Sequence, residues 1–217
     1  MRSVFAIVAL VPLTAAPAWA DEGAEEPGAG ARTVEQLPWK KTRFFTGWAA
    51  GRLRTERLDR PSGSLEVENV HTGEVLFTNI YNPDGTYNAD ALASLDRIWR
   101  CVRTEHEQAI DPALFDILSH VYDRFGRRIL LYSGHRMNTT GNHFKGSASD
   151  IRVEGVANKK LRNYVQTLDT GGMGIGLYTR SNFVHVDIRP PPSYRWIDRS
   201  PPGYRDRRAK RKPKRVS

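Results

Sequence analysis

Two short segments of alternating polarity constrain the fold of this chain more than any other feature. They are residues 148–153 and 183–188, in which apolar side chains alternate with polar or small ones. Successive side chains of a strand point to opposite faces, so His185 and Asp187 share one face of the second segment, and Asp150 lies on the polar face of the first. We therefore predict two adjacent strands that direct Asp150, His185 and Asp187 into a common hollow.

A third side chain with metal-binding chemistry, His143, lies in a loop shortly before the first of these strands. Two imidazoles and one carboxylate can hold zinc and leave its fourth position open for water. The pattern thus favours a Zn²⁺ site made of two imidazoles and one carboxylate, with a second carboxylate nearby. Spacing alone leaves an alternative open, because a His and an Asp seven residues apart occur by chance and a strand ending in His-Val-Asp can be an ordinary edge strand.

The remaining periodic segments predict helices beside a sheet. Strands are expected at residues 64–70, 75–81, 128–133 and 173–178, the first two as a hairpin. Helices are expected at residues 88–104, 111–126 and 158–168, with Asn88 and Asn158 as N-caps, proline at the start of the second helix and Gly126 at its end. Prolines 190–192 are expected to end the sheet. We predict an α+β fold with a small, mostly antiparallel sheet that carries the zinc site and with flanking helices.

The two ends of the chain differ from its middle. Residues 1–20 have the pattern of a secretory signal peptide, with a basic start, an apolar run and small residues before a cleavage point at Asp21. We expect residues 21–62 to be a flexible or poorly defined lead-in, residues 63–196 to be the folded domain and residues 197–217 to be a basic disordered tail. The mature chain is expected to be secreted into the periplasm and to have no transmembrane segment.

The net charge of +9 is concentrated at the C-terminal end. Residues 195–217 contain ten of the 33 Lys and Arg residues but only two of the 24 Asp and Glu residues. The folded domain is therefore close to neutral. Export argues against nucleic acid as a partner of the basic tail, and an anionic envelope surface fits it better; a solvated tail without a partner is the alternative.

Further motifs give the chain a resemblance to a known group of enzymes. The combination of His143, Gly146, Ala148 and Asp150 with a later His185 resembles the zinc peptidases grouped as lysostaphin, D-Ala-D-Ala metallopeptidases and hedgehog-type domains. The likeness is closer to the bacterial murein endopeptidases of the YcbK-like branch and covers about residues 64–196. The features shared with that branch are His71-Thr-Gly-Glu74, Ser133-Gly-His-Arg136, Gly171-Gly172 and Phe183-Val-His-Val-Asp187.

The resemblance implies a role for each residue of the site. The zinc ligands of the family fall on His143, Asp150 and His185. Its arginine falls on Arg136, which would bind a substrate carboxylate or polarise the scissile carbonyl.

The general base is where this chain departs from the wider group. Asn182 occupies the place of the glutamate that acts as base in the D-Ala-D-Ala branch. The resemblance to the murein endopeptidase branch makes Asp187 the expected base. His135 replaces a family tyrosine, and we expect it to support the site structurally.

The resemblance also implies an activity. The expected function is that of a secreted zinc metallopeptidase, a hydrolase that cleaves peptide cross-links of bacterial peptidoglycan in the cell wall, so that peptidoglycan peptides are its substrate. Two alternatives remain open: a D,D-carboxypeptidase acting on the same stem peptides, and a catalytically inert zinc-containing domain that binds the cell wall.

Overall fold

A computed structural model describes residues 38–137 and 140–203 of the chain. The predicted signal peptide, residues 21–37 of the predicted lead-in and residues 204–217 of the basic tail lie outside the described residues. Within the part of the chain that is described, no helix has the length and apolar character needed to cross a membrane.

The described residues form three helices and nine strands. The helices are α1 (Ala89–Trp99), α2 (Pro112–Phe125) and α3 (Asn158–Thr167). The strands are β1 (Pro38–Lys41), β2 (Phe45–Ala49), β3 (Ser64–Asn69), β4 (Val75–Asn79), β5 (Ile129–Ser133), β6 (Ala148–Val153), β7 (Met173–Tyr178), β8 (Phe183–Ile188) and β9 (Tyr194–Asp198). The predicted α+β class is confirmed.

The first two helices begin where local chemistry predicts, and α2 also ends there, whereas α1 ends at Trp99 rather than near Thr104. The side chain of Asn88 accepts a hydrogen bond from a backbone N–H in the first turn of α1, and Asp111 does the same for α2. These bonds satisfy donors that have no partner within the helix. Pro112 occupies the first turn of α2, and Gly126 ends that helix with φ of 56°, a left-handed conformation that suits glycine.

The predicted cap of α3 is wrong by one residue. Ala157 is the N-cap and supplies no side-chain hydrogen bond. Asn158 is the first helical residue. Its side-chain Nδ2 donates instead to Oδ1 of Asn182, which lies 2.8 Å away in the turn between β7 and β8.

All nine described strands belong to one mixed sheet with the order β1-β2-β9-β7-β8-β6-β5-β3-β4. The pairs β3–β5 and β7–β9 are parallel, while β6–β8 and β7–β8 are antiparallel. The prediction of a small, mostly antiparallel sheet was therefore wrong. Parallel pairs join strands that are separated by a crossover, and periodicity within a strand does not specify its neighbour.

Two parts of the sheet had no predicted strand. Residues 38–49 form β1 and β2 although they were assigned to the lead-in, and β9 follows the prolines that were expected to end the sheet. Strand β2 pairs along its length with β9, from Phe45 opposite Asp198 to Ala49 opposite Tyr194. The two segments are about 150 residues apart in the chain, so no local pattern indicates that they pair.

The sheet has one apolar face, which packs against the three helices. Side chains of this face are fully or almost fully buried and join the helices in a single core, among them Leu65, Val67, Ile129, Ile151, Val184 and Val186. On β6 and β8 the alternate positions, including Asp150, His185 and Asp187, lie on the opposite face. We call this opposite side the polar face.

Candidate metal centre

Three side chains meet on the polar face in the arrangement predicted for a metal site. His143 Nε2 lies 3.2 Å from His185 Nδ1 and 3.4 Å from Asp150 Oδ1, and the latter two atoms are 2.8 Å apart. Ligand atoms of a tetrahedral zinc ion, each about 2.0–2.1 Å from the metal, lie about 3.3 Å from one another. The donor set, two imidazole nitrogens and one carboxylate oxygen, therefore fits zinc in both chemistry and spacing.

Sheet register brings two of these residues together. Asp150 on β6 is the direct antiparallel partner of His185 on β8. Cross-strand partners hold their Cβ atoms about 4.5–5.5 Å apart on the same face, which places a carboxylate beside an imidazole. The prediction that the two strands are adjacent and that Asp150, His185 and Asp187 lie on one face is confirmed.

A loop delivers the third residue, whose side chain is buried. His143 follows β5 in the chain, and its Nδ1 lies 2.7 Å from the carbonyl oxygen of Gly134 at the end of that strand. Donation from Nδ1–H to this carbonyl leaves Nε2 with the lone pair that a metal requires. The loop returns to β6 through Gly146, whose φ is 72° and whose Cα faces the carbonyl of Ala109 so closely that a Cβ would overlap it.

The second nitrogen of His185 contacts Asp187. His185 Nε2 lies 2.8 Å from Asp187 Oδ2, on the opposite edge of the ring from the nitrogen that faces Asp150. Arg189 holds Asp187 through both carboxylate oxygens, at 2.7 and 2.5 Å. Asp187 is completely buried. A carboxylate in this position fixes the ring orientation and the tautomer of a histidine ligand.

Electrostatics at the site favour positive charge. Burial alone would raise the pKa of Asp187, but hydrogen bonds from Arg189 and His185 outweigh it and lower that pKa to about 2. Burial would lower the pKa of His185, yet Asp150 and Asp187 on either side of the ring raise it to about 9. The buried carboxylates of Asp150 and Asp187 thus flank the His185 ring and stabilise positive charge on it.

Arg136 lies at the outer side of Asp150. Its Nη2 donates to Asp150 Oδ2, and its Nε donates to Ser133 Oγ at 2.5 Å. The other oxygen of Asp150 faces the two histidines, so Arg136 and the histidines divide the carboxylate between them. The Arg136 side chain is 41% exposed, and a ligand bound at the site can therefore reach it.

The structure also locates the other residues that the sequence singled out near the site. His135 is buried with Nδ1 3.1 Å from the carbonyl oxygen of His143, so it supports the loop that carries this residue. Asn182 lies in the turn between β7 and β8, with φ of 59° and its side chain bonded to Asn158. Among the described residues its side chain bonds to Asn158 and not to His143, Asp150 or His185, which agrees with the absence of a base at this position.

Sequence reasoning missed Trp196 and Arg189. The Trp196 ring lies 5.1 Å from the His185 ring and packs over Gly176, where a Cβ would overlap the indole. A Cβ on Gly174 would overlap the Arg189–Asp187 pair in the same way. The signal was present as two glycines at alternate positions of β7, which leave room on one face of the strand.

Comparison with known proteins gives concordant findings. The model of the family described as Peptidase M15 matches residues 91–187, a range that contains His143, Asp150 and His185. Peptidoglycan L,D-endopeptidase MepK of Escherichia coli K12 is 34% identical over 142 residues, which are 58% of this chain and 76% of that protein. The probable peptidoglycan L,D-endopeptidase MepK of Haemophilus influenzae is 29% identical over 150 residues, 61% of this chain and 79% of that protein. No solved structure matches the chain at a significant level.

Proposed function

Because the chain belongs to the peptidase M15 family, in the group of YcbK-like murein endopeptidases, we propose that it is a zinc-dependent peptidase that hydrolyses peptide cross-links of bacterial peptidoglycan. The observation that carries the proposal is the convergence of His143 Nε2, Asp150 Oδ1 and His185 Nδ1 within 3.4 Å of one another. The activity for which its relatives are named supports peptidoglycan as the substrate.

In this proposal the three converging side chains are the zinc ligands. Bound there, zinc would lower the pKa of a water molecule towards neutrality and polarise the scissile carbonyl. Gly134 holds His143 with Nε2 directed inward, and Asp187 holds His185 with Nδ1 directed inward. The chain thus orients both imidazole rings before a metal binds, which limits the cost of forming the site.

Arg136 is proposed to act on the substrate. It holds the outer oxygen of Asp150 and is partly exposed beside the ligands, where developing negative charge on the carbonyl oxygen can be stabilised. A guanidinium already held by a carboxylate is oriented in advance, so little rearrangement is needed when substrate binds.

The contacts of Asp187 suggest a role other than the predicted general base. A base should be able to reach the attacking water and have a pKa near the working pH. Asp187 is buried, is bonded to Arg189 and His185, and has a pKa lowered to about 2. We propose that Asp187 orients His185; the role of base stays a prediction that the Asp187 substitution described below can decide.

Export, with a boundary at residue 20, and a contact of the basic tail with an anionic envelope surface also remain proposals, whereas the boundaries at residues 62 and 196 are not kept, because β1 and β2 precede the first and β9 extends past the second. The two proposals are supported by the pattern of residues 1–20 and by the charge of residues 195–217. Sequencing the N-terminus of the protein purified from its cell envelope tests export, since the mature chain should begin at Asp21.

Digestion of purified sacculi tests the proposed activity. The full chain should convert dimeric muropeptides to monomers, a chelator should stop the reaction and added zinc should restore it. His143→Ala should abolish both zinc binding and cleavage, whereas the matched control His71→Ala should not, because His71 contacts the Tyr132 carbonyl rather than the ligand set.

Three results would contradict the proposal in different ways. Cleavage that persists in chelator or in His143→Ala would remove the zinc site from the mechanism. Release of terminal D-alanine without loss of dimers would indicate a D,D-carboxypeptidase. Stoichiometric zinc without any turnover would indicate an inert wall-binding domain.

A further inference from the structure

A second group of side chains lies on the polar face beside the ligands. Arg152 follows Asp150 by two residues on β6, and Phe183 precedes His185 by two residues on β8. Two residues of a strand span about 6.6 Å, so Arg152 and Phe183 lie one pleat away from the ligand pair. Tyr178 on β7 is the direct partner of Phe183, and Tyr132 on β5 contacts Arg152 through its hydroxyl.

Three aromatic rings line this position. The rings of Tyr178 and Phe183 stack with centroids 4.5 Å apart, and those of Phe183 and Tyr132 stack at 6.4 Å. The interplanar angles are 29° and 28°, so the rings form an ordered row across β7, β8 and β5. We call these three residues, together with Arg152, the arginine row. The row offers apolar surface and one positive charge next to the ligand set.

The guanidinium of Arg152 has no acidic partner among residues 38–137 and 140–203. Its Nη1 donates to the neutral hydroxyl of Tyr132 at 2.9 Å, and its carbon lies 5.8 Å from the centre of that ring. Its Nε is buried without a hydrogen-bond partner. Arg128 and Arg189, which adjoin the ends of β5 and β8, and Arg195 on β9 are each paired with a carboxylate. A partly buried guanidinium is best complemented by a carboxylate, which adds charge-assisted hydrogen bonds.

We propose that the arginine row is a subsite for a free carboxylate of the peptide substrate, with Arg152 as its charged residue. The inference rests on the proposed function and names the chemistry that the same site recognises. An extended peptide advances about 3.3–3.6 Å per residue, so a carboxylate about two residues from the scissile bond reaches Arg152 when the carbonyl lies at the ligands. The row therefore selects peptides with a free acid there over peptides in which that acid is amidated.

Paired substrates test this selection. Two synthetic cross-linked peptides differ only in that the carboxylate about two residues from the scissile bond is free in one and a carboxamide in the other. The zinc-loaded full chain should cleave the acid with a kcat/KM about 10- to 100-fold higher, the ratio expected for hydrogen bonds to a charged group. Arg152→Gln should remove this preference by raising KM for the acid while leaving cleavage of the amide unchanged.

Arg180→Gln is the matched control. It removes the same charge from the exposed turn between β7 and β8, outside the arginine row. This variant should keep the preference for the acid, which separates a specific contact from the general effect of net charge. If a thermal melt shows that Arg152→Gln is not folded, Arg152→Lys replaces it. That variant should keep only part of the preference for the acid.

A binding measurement separates failure of this inference from failure of the proposed function. Analogues of both peptides with a reduced, uncleavable scissile bond are titrated calorimetrically into the zinc-loaded chain. Tighter binding of the acid that depends on Arg152 supports the subsite even if no peptide is cleaved. Equal affinity for acid and amide in the wild type, or an undiminished preference in Arg152→Gln, overturns the subsite even if the chain is an active peptidase.

Discussion

The two faces of β6 and β8 differ in what they contribute although they consist of alternating residues of the same strands. Ile151, Val184 and Val186 are completely buried beneath the helices. Asp150 and His185, which alternate with them, carry the ligand atoms on the polar face. A strand with a period of two thus encodes core packing and chemistry separately. Neighbouring substitutions should therefore change different properties of the molecule.

The largest effect on folding should come from the apolar face. Ile151→Ala removes a completely buried side chain of the core, and we expect the free energy of unfolding to fall by about 2–5 kcal/mol. Zinc affinity of the molecules that remain folded should be unchanged, because the side chain points away from the ligands. Urea unfolding and zinc titration below the melting transition measure the two quantities. A loss of zinc affinity as large as the loss of stability would show that the faces are coupled.

The next effect should appear on the polar face and leave folding largely intact. Asp187→Asn removes the charge that orients His185, and we expect zinc affinity to fall about 10- to 100-fold, equivalent to about 1.4–2.7 kcal/mol. Excess zinc should then restore cleavage. The control Asp198→Asn changes a carboxylate at the far end of β9 and should leave zinc affinity unchanged.

This substitution also decides between the two roles of Asp187. If Asp187 is the general base, Asp187→Asn will bind zinc normally, and no zinc concentration will restore turnover. Competition with a zinc indicator gives the affinity, and sacculus digestion over a range of zinc concentrations gives the activity.

The smallest effect should be a gain that touches neither face. α3 begins at the exposed Ala157, which supplies no side-chain cap, whereas Asn88 caps α1. Ala157→Asp provides an acceptor for first-turn N–H groups and a negative charge near Lys159 and Lys160, so the free energy of unfolding should rise by about 0.5–1 kcal/mol. Thermal melting measures the gain; a decrease would show that the Ala157 backbone does not accept a cap. Zinc affinity should not change.

What could be predicted from the sequence follows from how local each feature is. The caps of α1 and α2 act within one turn, and the alternation that places Asp150 and His185 on one face acts within one strand. The partners of β2 and β9 depend on contacts between segments about 150 residues apart, which no local pattern specifies.

The same reasoning applies inside the site. Alternation places Asp187 on the correct face but does not show which nitrogen of His185 it contacts or that Arg189 holds it. Trp196 belongs to a strand that was not predicted, and it reaches His185 only because Gly176 on the intervening β7 has no side chain. The residues around the ligands thus depend on the order of the strands, which emerges only in three dimensions.

Because Asp150 pairs directly with His185, a zinc ion bound to both would stabilise the sheet in addition to its role in the reaction. These residues are 35 positions apart and face each other only when β6 and β8 are joined in this register; a slip by one residue would turn one of the two side chains into the core. Zinc bound there would cross-link the two strands and connect the loop of His143 to them. At a free zinc concentration a hundred times the dissociation constant, zinc binding would add about 2.7 kcal/mol to the free energy of unfolding.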